Sequence, residues 1–288
     1  MITTDSHLGY QEKDPLRGED SFVAFEEVFR QARDQKVDFV LNAGDIFHEN
    51  KPSRRCVHRA QQVLRNYCLG DNPVQFQIVS DQSINFPDFG QVNYEDPNYN
   101  IDLPVFAIHG NHDDPTRDGG LASLSALDLL SVTNLLNYFG KCEKVDDIEL
   151  YPILMKKGTS RVALYGLGNM RDERLNRMFQ QQKVRFFRPP SDGTVWFNIL
   201  VIHQNRDKGR GPKNCIHESM LPEFLVRLKE GGRRSCVSVS VWASFFVGTV
   251  SVCVQRLVSV RVFVRCALLL SCFVIGCVLC GLVCGKIW

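Results

Sequence analysis

The chain has 288 residues, of which 44% are hydrophobic and 23% charged, values that are ordinary for a globular protein. Its net charge of +2 is unevenly distributed: residues 231–288 hold five Arg and one Lys without Asp or Glu, which leaves the first 230 residues at −4. Charge alone therefore gives no indication of nucleic-acid binding. We expect no signal peptide, because Asp5 and His7 interrupt the first apolar residues.

The cysteines divide in the same way. Seven of the eleven crowd the last 58 residues. The other four, which are Cys56, Cys68, Cys142 and Cys215, have no CxxC or zinc-finger spacing. Their scatter predicts buried thiols in a reducing compartment.

In chain order, the sequence predicts helices and strands that alternate. Asp20-Ser21 precedes a stripe of apolar residues at helical spacing, and Pro52-Ser53 precedes a second one. Residues 75–104 are rich in Asn, Asp and Pro, which predicts a long insertion. The remaining predicted elements are strands at 37–41, 105–108, 161–167 and 196–202 and a Leu-rich helix at 121–138. This alternation predicts an α/β fold.

Four polar islands follow the predicted strands. They are Thr4-Asp5-Ser6-His7, Gly44-Asp45, Gly110-Asn111-His112-Asp113 and His203-Gln204-Asn205. Side chains at the ends of parallel strands converge on one edge of a sheet. Carboxylate oxygens mixed with imidazole nitrogens suit Mn, Fe or Zn better than Ca, and two such ions side by side hydrolyse phosphate esters. The sequence therefore predicts a metallophosphoesterase.

Each island has an ordinary alternative when it is taken alone. An Asp after a strand is often only a turn or helix-cap residue, and a single His is often a satisfied structural residue. The order in which the islands occur favours the metal site over these alternatives. We predict that the remaining histidines are not ligands; they are His48, His58, His109 and His217.

Several longer motifs resemble one family. They are Asp5-Ser6-His7-Leu8-Gly9, the stretch 44–54 that includes Phe47-His48-Glu49-Asn50-Lys51-Pro52-Ser53, Ser80-Asp81-Gln82-Ser83, His109-Gly110-Asn111-His112-Asp113-Asp114-Pro115, Tyr165-Gly166-Leu167-Gly168 and His203-Gln204-Asn205-Arg206. Residues 2–225 resemble the double-strand-break repair nucleases, the meiotic-recombination nucleases of the calcineurin-like metallophosphoesterase superfamily. The resemblance implies a metallophosphoesterase β-sandwich flanked by helices, in this chain incomplete.

The resemblance also implies roles for individual residues. Asp5 and His7 would hold one metal ion, Asn111 and His203 a second, and Asp45 would bridge both through its two oxygens. His112 would be catalytic, steering the scissile phosphate and protonating the leaving oxygen. The ions would be Mn, with Mg or Fe as alternatives. The substrate would be DNA, degraded from 3′ ends and nicked in single strands.

Partners and location are implied by the same resemblance. The family forms a homodimer through helices that correspond to 52–69 and 121–138. It pairs with an SMC-like ATPase and with nibrin, although the ATPase-binding region has no counterpart in this chain. The compartment would be the nucleus.

Beyond about residue 225 the resemblance ends. The family continues into a strand and a Gly-His-x-His motif, which this chain lacks. We therefore expect each metal to lose one imidazole and the nuclease activity to be impaired. A rival hypothesis is a catalytically inactive dimerisation or scaffold fragment. A second rival is a generic metallophosphatase, which the motif at 47–53 argues against.

Residues 226–288 are predicted to form a separate, unrelated apolar tail. Residues 231–288 lack Asp, Glu, Asn, His, Tyr, Pro and Met, so codons with A in the second position are almost missing. That bias indicates a retained intron or a gene-prediction artefact. The uncharged stretch 266–285 is long enough to span a bilayer, but we expect no membrane role. We expect the tail to add nothing to the fold and to promote aggregation.

Overall fold

The computed structural model describes residues 1–116, 123–142, 144–189, 191, 193, 195–205, 211, 213–226, 238–243 and 264–266. The α-helices of this part of the chain are α1 Asp20–Asp34, α2 Arg54–Cys68, α3 Ala126–Val132, α4 Asp172–Gln180 and α5 Glu223–Val226. Its strands are β1 Ile2–Thr4, β2 Val40–Asn42, β3 Gln77–Ile78, β4 Val105–Ala107, β5 Asn137–Tyr138, β6 Ile148–Leu150, β7 Ile153–Lys157, β8 Ser160–Leu167, β9 Val184–Phe186, β10 Phe197–His203, β11 Ser238–Ala243 and β12 Val264–Cys266. Single 3₁₀ turns lie at Asn93–Glu95 and Glu218–Met220.

The strands form two five-stranded sheets and one pair. The first sheet has the order β12-β1-β2-β4-β5 and is parallel throughout. The second has the order β11-β10-β8-β7-β3, in which β11, β10 and β8 are parallel and the other pairs antiparallel. Strands β6 and β9 pair separately.

The two large sheets pack face to face with helices outside them. Alternate residues of a strand point to opposite faces of its sheet, and β10 illustrates this. Ile199 and Val201 lie in the apolar cluster between the sheets, whereas Leu200 and Ile202 lie in the outer cluster with α4. On the far side of the first sheet, α1 and α2 pack against residues such as Val40 and Val105. The predicted α/β sandwich flanked by helices is confirmed.

Helices α1 and α2 begin close to the predicted residues. The Ser53 side chain caps α2 by accepting the N–H of Cys56, as the sequence predicts. By contrast, α1 starts after Glu19 without a side-chain cap. The stripe of buried residues in α1 was predicted from helical spacing and consists of Phe22, Phe25, Val28, Phe29 and Ala32.

The prediction of one long helix over 121–138 is wrong. The helix covers Ala126–Val132. It stops before Asn134, whose φ of 57° leaves the right-handed helical region. Asn137 and Tyr138 then pair with β4 as a strand. The insertion at 75–104 is mostly irregular, as predicted, but contains β3 and one 3₁₀ turn.

Two strands belong to the segment that we predicted to add nothing to the sheets. Residues 238–243 pair in parallel with β10, and residues 264–266 pair in parallel with β1. For these nine residues the structure contradicts that expectation. Strands β10 and β1 would each have unpaired backbone groups along their outer edge, and these two segments, which contain Val and in one case Trp, pair with them.

Among the described residues, no helix combines the length and hydropathy needed to cross a bilayer. Apart from Cys266, the apolar stretch 266–285 lies outside the described residues.

Candidate metal centre

The four polar islands meet where their strands end. Strands β1, β2 and β4 run in parallel, so the loops that follow them leave from one edge of the first sheet. The Asp5 N–H donates to the Gly44 carbonyl at 3.1 Å, which ties two of these loops together. From the second sheet, His203 Nδ1 donates to the Ala43 carbonyl at 2.8 Å. The site therefore lies between the two sheets.

The backbone at this edge is strained. Asp5, His7 and Asp45 have φ values of 54°, 46° and 55°, in the left-handed region that non-glycine residues seldom adopt. Such strain clusters at functional sites. Close packing adds a second constraint, because a Cβ atom on Gly110 would overlap the Asp45 carboxylate.

Asp5, His7 and Asp45 form one group, the exposed half of the centre. Their ligand atoms all lie within 4.8 Å of one another. His7 Nε2 lies 3.7 Å from Asp5 Oδ1 and 3.7 Å from Asp45 Oδ2. The Thr4 hydroxyl donates to Asp5 Oδ2 at 2.7 Å and so orients that carboxylate. Solvent reaches this half, since the His7 side chain is 26% exposed.

Asp45, Asn111 and His203 form a second group, the buried half. His203 Nε2 lies 3.3 Å from Asp45 Oδ2 and 3.1 Å from Asn111 Oδ1. The side chains of His203 and Asp45 are 1% and 2% exposed. Because a carbonyl only accepts, the bond to Ala43 places a proton on Nδ1 and directs Nε2 toward the two oxygens.

The charges of the buried half are coupled. Burial lowers the pKa of His203, but the hydrogen bond and charge of Asp45 outweigh it and raise that pKa to about 9. Burial opposes ionisation of Asp45 in turn. The hydrogen bond and charge of His203 and the His112 N–H prevail, and they hold the Asp45 pKa below its usual value.

Asp45 lies between the two halves, as expected of a shared ligand, but it faces them with one carboxylate oxygen and not with its two oxygens. Its Oδ2 atom faces both His7 and His203. Its Oδ1 atom accepts the backbone N–H of His112 at 2.8 Å. The structure thus presents one oxygen, and not two, to both halves, because the second oxygen is already engaged.

His112 lies beside the exposed half, and its contacts with His48 fix the orientation of its ring. Its Nδ1 donates to the His48 carbonyl at 2.7 Å, which leaves Nε2 as the nitrogen able to accept a proton or a cation. The His48 ring stacks on it at 4.9 Å between centroids. Burial, followed by the charges of His7 and His112, lowers the pKa of His48.

Asp113 has a role that the sequence did not reveal, although it belongs to one of the islands. It is fully buried and accepts the N–H groups of Ile46 at 2.7 Å, Phe47 at 3.2 Å and Gly110 at 2.7 Å. Burial and the nearby charge of Asp45 raise its pKa to about 7. Asp113 holds two ligand loops together. Two of its three donors, the N–H groups of Ile46 and Phe47, are distant in sequence, so the sequence indicates only that an acidic residue follows Asn-His.

The other histidines contact different parts of the molecule. His109 is buried, accepts from the Tyr138 hydroxyl at 2.7 Å and donates to the Asn169 carbonyl at 3.3 Å. Burial lowers its pKa to about 4. His58 is exposed on α2, and His217 lies 3.4 Å from the Cys215 thiol.

The donor atoms fit divalent cations. Carboxylate oxygens, an amide oxygen and imidazole nitrogens converge within a few ångströms, and such mixed sets suit Mn, Fe and Zn. The Nδ1–H bond of His203 to a backbone carbonyl is the support that ligating histidines usually have.

Comparison with known proteins agrees with this geometry. The model of the calcineurin-like phosphoesterase family matches residues 1–229. Proteins named double-strand break repair protein MRE11 are similar to the chain. That of Oryza sativa subsp. indica is 58% identical over 247 residues, which cover 82% of this chain and 34% of the relative. Those of Arabidopsis thaliana and Homo sapiens are 57% and 50% identical, again over 82% of this chain.

The chain spans about a third of the length of these curated relatives. The family match covers residues 1–229, and the residues that converge at the candidate metal centre all lie within that range. The family implies divalent metal ions at the edge where those islands meet. The chain belongs to the calcineurin-like phosphoesterase family, and within it resembles the double-strand break repair nucleases.

Proposed function

We propose that this chain is the nuclease domain of a DNA double-strand-break repair protein and hydrolyses phosphodiester bonds with two manganese ions. The observation that carries the proposal is the position of Asp45 Oδ2, 3.7 Å from His7 Nε2 and 3.3 Å from His203 Nε2. One carboxylate oxygen between two donor sets is what a shared ligand requires. Magnesium or iron are the alternatives to manganese.

The ligands divide between the two halves. Asp5, His7 and Asp45 would hold one ion, and Asp45, Asn111 and His203 the other. When bound, such ions activate water and neutralise charge on the phosphate. The chain itself fixes the ligands before any cation arrives, through the strained loops and the bonds to Thr4 and Ala43.

We assign His112 to the leaving oxygen. Its Nδ1 is held by the His48 carbonyl and its ring lies 4.8 Å from that of His7. Its Nε2 can carry the proton that the departing 3′ oxygen needs, a step worth typically about 10²–10⁴ in rate. We propose that the chain degrades DNA from 3′ ends and nicks single strands, the activities that its resemblance to the repair nucleases implies.

We further propose that this activity is impaired. Three protein donors are assigned to each ion, and the neighbouring imidazoles of His48 and His112 are not among them. Residues 231–288 contain no histidine to complete either set. Loss of even an indirect partner of a ligand costs about 10–100-fold in metal affinity, and loss of a ligand costs more.

The test uses the full chain in mild non-ionic detergent, manganese or EDTA, and a duplex labelled at a recessed 3′ end. We expect slow, manganese-dependent release of nucleotides that His112→Ala abolishes, while manganese binding persists. Turnover as fast as that of a full-length relative would contradict the impairment. Absence of manganese binding would contradict the metal assignment. Hydrolysis of phosphopeptides in place of DNA would favour the generic metallophosphatase.

A second candidate is a scaffold that dimerises in the nucleus with little catalysis. Leu129 and Val132 on α3 support it, since they are 49% and 55% exposed and lie three residues apart on one helix face. On this candidate we propose a homodimer through the segments 52–69 and 121–138, with an SMC-like ATPase and nibrin as the further partners that the resemblance implies. Sedimentation of the full chain and of Leu129→Lys decides it: a dimer that the substitution dissociates supports this candidate, and a monomer in both excludes it.

A further inference from the structure

A cluster of three histidines stands beside the paired metal positions. Donor nitrogens of His7, His48 and His112 all lie within 4.8 Å of one another. The rings contact each other directly: His7 and His112 are perpendicular at 4.8 Å, and His48 and His112 are stacked at 4.9 Å. The cluster has no carboxylate, so it differs in chemistry from both halves of the paired centre.

The spacing of two of these nitrogens matches a tetrahedral cation. Nδ1 of His7 lies 3.4 Å from Nδ1 of His48. Two imidazole nitrogens bound to tetrahedral zinc, each about 2.0–2.1 Å from the ion, lie roughly 3.4 Å apart. His112 would supply Nε2, because its Nδ1 donates to the His48 carbonyl. The ring of Tyr10 packs against His48 at 4.9 Å and supports it from the other side.

His7 takes part in both arrangements through different nitrogens. Its Nε2 faces Asp5 and Asp45, and its Nδ1 faces His48. A neutral imidazole has one lone pair and one N–H. If Nε2 binds a cation beside the carboxylates, the Nδ1–H donates to His48. If Nδ1 binds a cation beside His48, the Nε2–H points at the carboxylates. His7 can therefore serve only one of the two sites at a time.

We propose that His7, His48 and His112 form a separate site for a borderline-soft divalent cation such as zinc, exclusive of the ion held by Asp5, His7 and Asp45. Three imidazoles suit zinc, copper or nickel, whereas the carboxylate-rich pair suits manganese. Occupation of the three-histidine site removes His7 from the pair and His112 from proton transfer. Zinc then acts as an inhibitory ion. The consequence for activity rests on the proposed function, but binding at the three-histidine site does not.

The test titrates the full chain with cobalt, a spectroscopic substitute for zinc, and follows the intense visible absorption of four-coordinate cobalt. We compare His48→Ala, Asp45→Asn and the control His58→Ala, which removes an exposed histidine of α2. We expect the band in the unaltered chain, in Asp45→Asn and in His58→Ala. In His48→Ala we expect cobalt affinity to fall at least about tenfold and the band to be lost.

The reverse pattern, with the band kept in His48→Ala and lost in Asp45→Asn, would overturn the inference. His48→Gln and the circular dichroism of each variant identify any loss that is due to misfolding. Nitrogen-15 spectra of the unaltered chain with one equivalent of zinc give an independent readout. They should report metal on Nδ1 of His7 and hydrogen on its Nε2, and the opposite tautomer would also overturn the inference. If the chain fails to bind manganese and still gives the expected cobalt pattern, the proposed nuclease function is refuted and the three-histidine site is retained.

Discussion

The two halves of the metal centre are built in different ways. The exposed half has ligands on the loop after β1, where Asp5 and His7 are 14% and 26% exposed and have left-handed backbones. The buried half has Asp45 and His203 at 2% and 1% exposure. His203 comes from the second sheet and bonds to the carbonyl of Ala43, which follows a strand of the first.

The two halves of the metal centre therefore depend on the fold in different ways. The buried half forms only when the sheets pack, so its ligands also contribute to the stability of the sandwich. The exposed half is positioned by one strained loop and has a second set of neighbours in His48 and His112. Substitutions in the buried half should therefore lower stability without metal, whereas those of Asp5 and His7 should mainly alter metal binding and lower stability much less.

The largest effect is expected where the buried half is fastened together. Asp113→Ala leaves the N–H groups of Ile46, Phe47 and Gly110 without their acceptor. Each buried donor left unsatisfied costs about 1–3 kcal/mol, so the three together should lower the free energy of unfolding by roughly 3–9 kcal/mol. Urea unfolding of metal-free protein measures it. The neighbour Asp114, which is half-buried, is the control, and an equal loss in Asp114→Ala would refute this role.

That prediction also marks a limit of the sequence. Asp5, Asp45, Asn111 and His203 were predicted because polar residues after apolar runs mark the ends of parallel strands, and strand order alone brings such ends together. The role of Asp113 depends on donors up to 67 residues away, and no local pattern encodes them. No local pattern predicts the role of His48 either, because its contact with His7 depends on the path of the loop between β2 and α2.

Fold predictions failed where a pattern had two interpretations. The Leu-rich run at 121–138 has helical spacing, yet the backbone at Asn134 turns the chain and Tyr138 joins β4. Strands β6 and β9 and helix α4 were not predicted. The two strands are three residues each and have too few positions to establish a period.

A paired substitution compares the halves directly. His203→Ala removes one partner of a buried ion pair with Asp45, and breaking such a pair costs about 3–5 kcal/mol. His7→Ala removes a partly exposed ring whose ion pairs are 3.7 Å long, and we expect about 1 kcal/mol or less. Chemical unfolding of both variants in EDTA tests the difference. Equal losses would mean that the two halves do not differ in their coupling to the fold.

Substitution of the shared ligand Asp45 should weaken metal binding in both halves alike. Asp45→Asn keeps the shape of the side chain and takes away the charge that faces both His7 and His203. We expect the affinity for both manganese ions to fall by about 100-fold or more, since loss of a partner that only supports a ligand already costs about 10–100-fold. Electron paramagnetic resonance of bound manganese counts the ions. A variant that loses one ion and retains the other would show that Asp45 is not shared.

The smallest effect concerns the outer edge of the second sheet, where residues 238–243 pair with β10 beside His203. In a parallel strand, successive residues direct their backbone groups to opposite neighbours. One of the adjacent substitutions Val239→Pro and Ser240→Pro therefore removes an N–H group that donates to β10. The other removes an N–H group that points away from β10, where proline is tolerated. We expect their free energies of unfolding to differ by about 1 kcal/mol, the value of a ladder hydrogen bond.

Each of these two variants is the control for the other, since both carry the same change in neighbouring positions. Urea unfolding of the full chain in the same detergent measures the difference between their midpoints. A difference would show that the pairing of β11 with β10 stabilises the second sheet beside the buried half, although β11 lies beyond residues 1–229, which the family model matches. Identical midpoints would mean that the pairing of β11 adds nothing to stability, and His203 would then be held by Asn169 at its carbonyl and by Ala43 at its ring.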